Sequence, residues 1–269
     1  MIYLKSESEI DKMRRSAQLV SRTLAEVAKY IEPGVSTLKL DSVAEEFIKR
    51  HDARAAFKGY GSPNNPFPAT LCISINDEVV HGIPSERTLK EGDIVSIDCG
   101  VEKDGYFGDH AYTFMVGECD DETRRLLEVT LMSLYKGIEQ AVHGNRIGDI
   151  SSAIQTHCED ENFGVVRDLV GHGLGKHLHE DPSVPNFGRK GRGQRLRTGL
   201  ALAIEPMITA GSWRVNTLDD GWTIVTADGS RAAHFEHNVI VREGEAEILS
   251  TFDYITEITK KEIIDSRYG

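Results

Sequence analysis

The chain has 269 residues, of which 39% are hydrophobic and 28% charged, the proportions of a globular protein with ample material for a core. A formal net charge of −12 argues against DNA, other nucleic acid or an anionic membrane as the main partner. No apolar run approaches the roughly 20 residues of a membrane helix, no secretory signal is expected, and four scattered cysteines suit reduced thiols in a cytoplasmic protein.

Ser6-Glu7-Ser8-Glu9 fits a capping box, and Ile10, Met13, Ala17, Val20, Leu24 and Val27 then recur at helical spacing. A long amphipathic helix is predicted, ending before Pro33-Gly34. A second helix starts near Ser36 or Thr37, buries Leu40, Val43, Phe47 and Ile48, and stops around His51-Asp52. Residues 59–68, rich in Gly, Pro and Asn, read as a loop without regular structure. A strand over 69–75 leads to a short apolar segment over 79–84 that contains His81.

An acidic hairpin follows. Residues 93–97 and 110–116 are β-rich, and Lys103-Asp104-Gly105 between them is a turn signal. A turn centred on Lys103-Asp104 sets Asp98 opposite Asp109; one centred on Asp104-Gly105 sets Asp109 opposite Gly100, with Asp98 diagonal to it. Either register puts both carboxylates on one face, about 5–8 Å apart. Inside an apolar sheet they repel unless a divalent cation lies between them, whereas an exposed hairpin would simply solvate them.

Beyond the hairpin, Asp120 or Asp121 caps a helix to about Val142, another runs from Ile147 to about residue 159, and strands are predicted over 200–208, 222–227 and 235–242. This order indicates an α+β fold with antiparallel pairing. Helix pairs precede β-rich segments twice, hinting at two related halves, and no linker divides the chain, so a single domain over 1–269 is expected.

Three further stretches carry chemistry. Gly171-His172-Gly173-Leu174-Gly175-Lys176-His177-Leu178-His179 lacks the glycine and Ser/Thr positions of a phosphate loop, and its histidines suit metal binding better. Glu205 interrupts an apolar strand, where it would be costly unless paired or coordinated. Strand alternation places Glu236 on one face with His234 and Asn238, and Phe235 and His237 on the other. Four carboxylates and one imidazole suit two divalent ions about 3.5–4 Å apart that share bridging carboxylates.

In order and spacing, Asp98, Asp109, His172, Glu205 and Glu236 resemble the five metal ligands of the methionine aminopeptidase family. The surrounding signatures agree: Ser-Ile-Asp98-Cys-Gly, Gly-Asp109, Gly-His172-Gly-Leu-Gly, Ile-Glu205-Pro and Phe-Glu236-His. The short interval between Glu205 and Glu236 matches a minimal type I enzyme. The resemblance implies a pita-bread fold, two pseudo-symmetric halves around a central antiparallel sheet. It implies two divalent ions (Co, Mn, Fe or Zn) and removal of the initiator methionine from nascent peptides with a small second residue. It further implies that Glu205 shuttles a proton, that His179 donates to the substrate carbonyl oxygen, and that His81 contacts the departing nitrogen. Cys72 and Trp222 fall at the methionine-pocket positions, and Phe67 and Tyr60 are expected to supply other walls.

The loop 61–66 is longer than in the shortest relatives, and Leu178 stands where Phe is frequent. Both bear on pocket shape. His172, His177 and His179 could alternatively form a single His₃ zinc site. The basic stretch 189–197 reads as a solvated loop or as a patch that meets ribosomal RNA. A monomer is expected. Competing functions are a proline-directed peptidase on the same fold and a binding module that has lost catalysis; the full ligand set favours an enzyme.

Overall fold

The computed structural model describes residues 2–260. Helix α1 (Glu7–Ala28) begins at Ser6, whose backbone N–H donates to Glu9 Oε2 at 2.9 Å, so the capping box forms. Helix α2 (Thr37–Arg50) is capped by the Ser36 side chain, which accepts from the Lys39 N–H. Its inner face carries Leu40, Ala44 and Ile48, while Val43 and Phe47 are only partly covered.

Strands β1 (Leu71–Ile75) and β2 (Glu78–Val80) come next, then the long hairpin β3 (Ile94–Lys103) and β4 (Tyr106–Met115). The hairpin closes at Asp104-Gly105, with Lys103 opposite Tyr106 and Gly100 opposite Asp109. Both turn residues have positive φ, 54° and 75°, the conformation that a two-residue loop needs to match strand twist. Of the two registers the sequence allowed, this is the one with Asp98 diagonal to Asp109. Strand β1 pairs with the other edge of β3 and sets Cys72 directly across from Asp98.

The second half repeats the plan. Helix α3 (Asp121–Glu139), capped by Asp120, and α4 (Ile147–Asp160) precede β5 (Val170–Gly173) and β6 (Glu180–Pro185). The predicted strand over 200–208 is two strands, β7 (Ala201–Ile204) and β8 (Met207–Thr209). The break falls at Glu205-Pro206, where proline has no N–H to give a ladder. The strand expected over 222–227 shortens to β9 (Ile224–Thr226). The one expected over 235–242 shortens to β11 (His237–Ile240), and a separate strand, β10 (Ala232–His234), precedes it. Residues 59–68 are not wholly irregular: Gly61–Ser62 pairs with Asn65–Pro66. Helix α5 (Asp253–Thr259) closes the described chain.

The two halves join along β4 and the 234–238 segment. The Asp109 N–H donates to Asn238 Oδ1 at 2.7 Å, and the Glu236 N–H donates to the Ala111 carbonyl at 3.0 Å. Thr113 Oγ1 donates to the His234 carbonyl and accepts from the His234 N–H. This is the open antiparallel architecture of the pita-bread fold. A large apolar core unites α1–α4 with the sheets, and a smaller cluster of Phe57, Phe67, Cys72 and Leu178 sits apart at the junction. No helix among the described residues is long and apolar enough to cross a membrane.

Candidate metal centre and active site

The junction supplies ligands from both halves. Asp98 and Asp109 come from the hairpin, whose alternation aims both at the second half. On the other side, His172 of β5 faces Ala203 of β7, which faces Asn238 of β11. Glu205 lies two residues beyond Ala203 and Glu236 two before Asn238, so His172, Glu205 and Glu236 project from one face. Glycine at 171 lets β5 lie against β7, because a Cβ there would stand 2.4 Å from the Ala203 carbonyl.

Three groups of donor atoms each fall within 4.8 Å of one another: Asp98, Asp109 and Glu236; His172, Glu205 and Glu236; and Asp109, His172 and His179. His172 Nε2 lies 3.6 Å from both Asp109 Oδ2 and Glu205 Oε1. Buried Asp98 Oδ1, Asp109 Oδ1 and Glu236 Oε1 have no hydrogen-bond partner among the described residues. Three orphaned carboxylate oxygens converging in a buried site would each be costly, and divalent cations satisfy all of them. The residues therefore fit a dinuclear centre of hard divalent ions.

The electrostatics agree. Burial, with the Glu205 charge adding to it and His234 opposing, raises Asp98 to about 7. Burial alone lifts Glu205 to about 8. Asp109 and Glu236 rise well above the carboxylate range through burial and then through the neighbouring carboxylates. Burial and the neighbouring His179 take His172 down to about 3, while burial, His234 and His179 take His81 to about 4. Without a cation, the protein would hold much of its carboxylate charge as protons.

One cavity of about 100 Å³ unites the predicted residues. Its polar side is Asp98, Asp109, His172, Glu205 and Glu236, with His81 and His179 beside them. Its apolar side is Phe67, Cys72 and Trp222, with Tyr60 at the rim. Phe67 and Trp222 meet edge to face at 5.2 Å between centroids. His81 holds φ of 60°, unusual for a residue with a Cβ and a common mark of side chains aimed for function. His177 is exposed and joins none of the three donor groups, so the His₃ alternative is not assembled.

Sequence reasoning missed one wall residue and one polar neighbour. Phe57 lines the cavity from a segment with no periodicity, beside Leu178, whose place at the pocket was expected. His234 is buried, neither ring nitrogen has a hydrogen-bond partner among the described residues, and its Nε2 stands 3.6 Å from Glu205 Oε2. Its place on the Glu236 face was legible, but a lone histidine in a strand gave no sign of its neighbour.

Comparison with known proteins settles the family. Residues 11–243 match the description metallopeptidase family M24. The chain belongs to this family. Within it, the chain is 52% identical to a methionine aminopeptidase of Clostridium perfringens over 93% of its own length and 99% of that protein's. It is 50% identical to methionine aminopeptidase 1 of Bacillus subtilis, with the same coverage of each. The crystal structure of methionine aminopeptidase from Thermotoga maritima superposes with a TM-score of 0.90 at 46% identity, covering 93% of this chain and all of the other. Fold and sequence thus match the bacterial type I methionine aminopeptidases, and the M24 site described above is that of a metal-dependent exopeptidase.

Proposed function

We propose that this M24 enzyme removes the N-terminal methionine from nascent proteins and peptides whose second residue is small. The observation that carries the reading is the single cavity in which five metal-binding side chains, two histidines and an apolar pocket meet. Asp98, Asp109, His172, Glu205 and Glu236 would hold two divalent ions, Co, Mn, Fe or Zn. Such ions supply Lewis acidity and make water a competent nucleophile near neutral pH.

The chain's own groups do the rest. Glu205, beside His172 and His234, takes the proton from the attacking water on a carboxylate oxygen and delivers it to the leaving nitrogen. His179 donates from a ring nitrogen to the carbonyl oxygen as charge develops there, and His81 contacts the departing nitrogen. Phe67, Cys72 and Trp222 enclose the methionine side chain, where a polarisable sulfur gains from aromatic edges and a thiol. A cavity of about 100 Å³ suits a single side chain, and a free α-amine held beside the carboxylates would confine cleavage to the first peptide bond. Replacing Glu205 with Gln tests the assignment: methionine release from Met-Ala-Ser should fall by a factor of roughly 10²–10⁴. Retained turnover would remove Glu205 from the proton path.

The same reading extends to one catalytic domain acting as a monomer in the cytoplasm. The exposed cations Arg189, Lys190, Arg192, Arg195 and Arg197 form a basic patch on an acidic protein, suited to the ribosome surface where new N-termini emerge.

A further inference from the structure

Tyr60 does not fill the methionine pocket as the other aromatic walls do. It stands at the rim, 40% exposed, with its hydroxyl against His179 Nδ1 and its ring edge-on to the imidazole, centroids 5.0 Å apart. We propose that Tyr60 is a positioning residue for His179: its O–H donates to Nδ1, fixing the tautomer that carries its proton on Nε2, toward the cavity. This rests on the reading that His179 assists the substrate carbonyl.

Two observations give the direction of the bond. With Nδ1 taken by Tyr60, Nε2 is the nitrogen left for the site, where a His179 nitrogen comes within 4.8 Å of Asp109 and His172 donor atoms. An N–H pointing at a carboxylate is favourable, and a bare lone pair there is repelled. Burial and the Asp109 charge also raise the Tyr60 phenol, so it keeps the proton it must donate.

The hydroxyl is held by a strap. The Gly59 N–H donates to the Phe67 carbonyl and the Phe67 N–H to the Tyr60 carbonyl, both at 2.8 Å, while the Tyr60 N–H donates to the Phe57 carbonyl at 2.9 Å. The 61–66 hairpin then closes on Trp222, whose Nε1–H donates to the Asn65 carbonyl at 3.2 Å. Glycine at 61 allows this, because a Cβ there would lie 2.5 Å from the indole. The 61–66 hairpin thus anchors Tyr60 and Trp222 together.

The test is Tyr60→Phe, which keeps the ring and removes the hydroxyl. In zinc-loaded protein carrying ¹⁵N-labelled histidine, His179 signals are assigned by their loss in His179→Gln. Wild type should show Nδ1 unprotonated and Nε2 protonated, and Tyr60→Phe should mix or reverse the two. In steady-state cleavage of Met-Ala-Ser, kcat should fall about three- to ten-fold, the worth of one hydrogen bond, with KM little changed. An unchanged tautomer would overturn the proposal, as would a raised KM with kcat preserved, which marks a pocket wall. If wild type releases no methionine, the functional reading fails while the tautomer measurement still decides this one.

Discussion

His179 and His172 sit ring against ring, 4.2 Å between centroids and nearly perpendicular, yet the two are expected to behave differently when removed. His172 is enclosed between Asp109 and Glu205, whereas His179 is exposed at the cavity mouth with one nitrogen committed to Tyr60. His179→Ala should lower kcat roughly 10²–10³-fold, as loss of a donor to a developing oxyanion does, with metal content by elemental analysis nearly intact. Parallel loss of metal and activity would make His179 a ligand. At this scale the sequence was most legible where chemistry demands a particular side chain. Asp98, Asp109, His172, Glu205 and Glu236, singled out by spacing and signature, and His81, Cys72 and Trp222, added by the family resemblance, all line one cavity. Phe57 was not legible, because its contribution is apolar contact brought in by a bend that no periodicity announces.

The β3–β4 hairpin is the element on which the centre depends, and its register rests on two kinds of constraint. The Asp104-Gly105 turn sets the pairing, and α1 packs directly against the strand beyond it. A Cβ at Gly108 would lie 2.5 Å from the Ala17 backbone nitrogen and 2.6 Å from the Ser16 carbonyl carbon. Helix backbone cannot yield as a side-chain tip can. Gly108→Ala should therefore cost about 1–3 kcal/mol in denaturant unfolding and weaken metal binding through the neighbouring Asp109. Unchanged stability would mean that the helix moves freely on the hairpin. The turn residues narrowed the register to two possibilities, but a choice between neighbouring two-residue turns depends on backbone dihedrals that sequence leaves open. Likewise the break at Glu205-Pro206 lies inside an apolar run that reads as one continuous strand, and Phe235-Glu236 interrupts the alternation read through 234–238. They bend the chain where a carboxylate must leave the ladder.

At the scale of the molecule, a metal bound at this centre would fasten one half to the other. Asp98 and Asp109 belong to the first half and His172, Glu205 and Glu236 to the second, so bound ions should stabilise the whole fold. The metal-free protein should also depend on pH in a particular sense. Asp98 and Glu205, raised to about 7 and about 8, favour folding while protonated and lose that contribution as pH rises through those values. His81 and His172, lowered to about 4 and about 3, act oppositely but only below their ordinary value of 6.5. The two trends offset each other in acid, leaving a net loss between about pH 6.5 and 8. Calorimetry of stripped protein should show Tm falling across that window, and added Mn should raise Tm most at the alkaline end. A flat profile would mean that the carboxylates are not held protonated. The paired helix-then-sheet plan behind this junction was visible in the order of elements, whereas the hydrogen bonds that Thr113 Oγ1 donates and Asn238 Oδ1 accepts across the halves carry no sequence signature.

The most direct test of the central claim is release of the first residue from Met-Ala-Ser, Met-Leu-Ser and Ala-Pro-Ser by stripped protein resupplied with Mn, Co, Fe or Zn. Metal-dependent release of methionine from Met-Ala-Ser, with little from Met-Leu-Ser and no alanine from Ala-Pro-Ser, is the predicted result. Alanine release from Ala-Pro-Ser, or no cleavage with any of the metals by a folded protein, would contradict it.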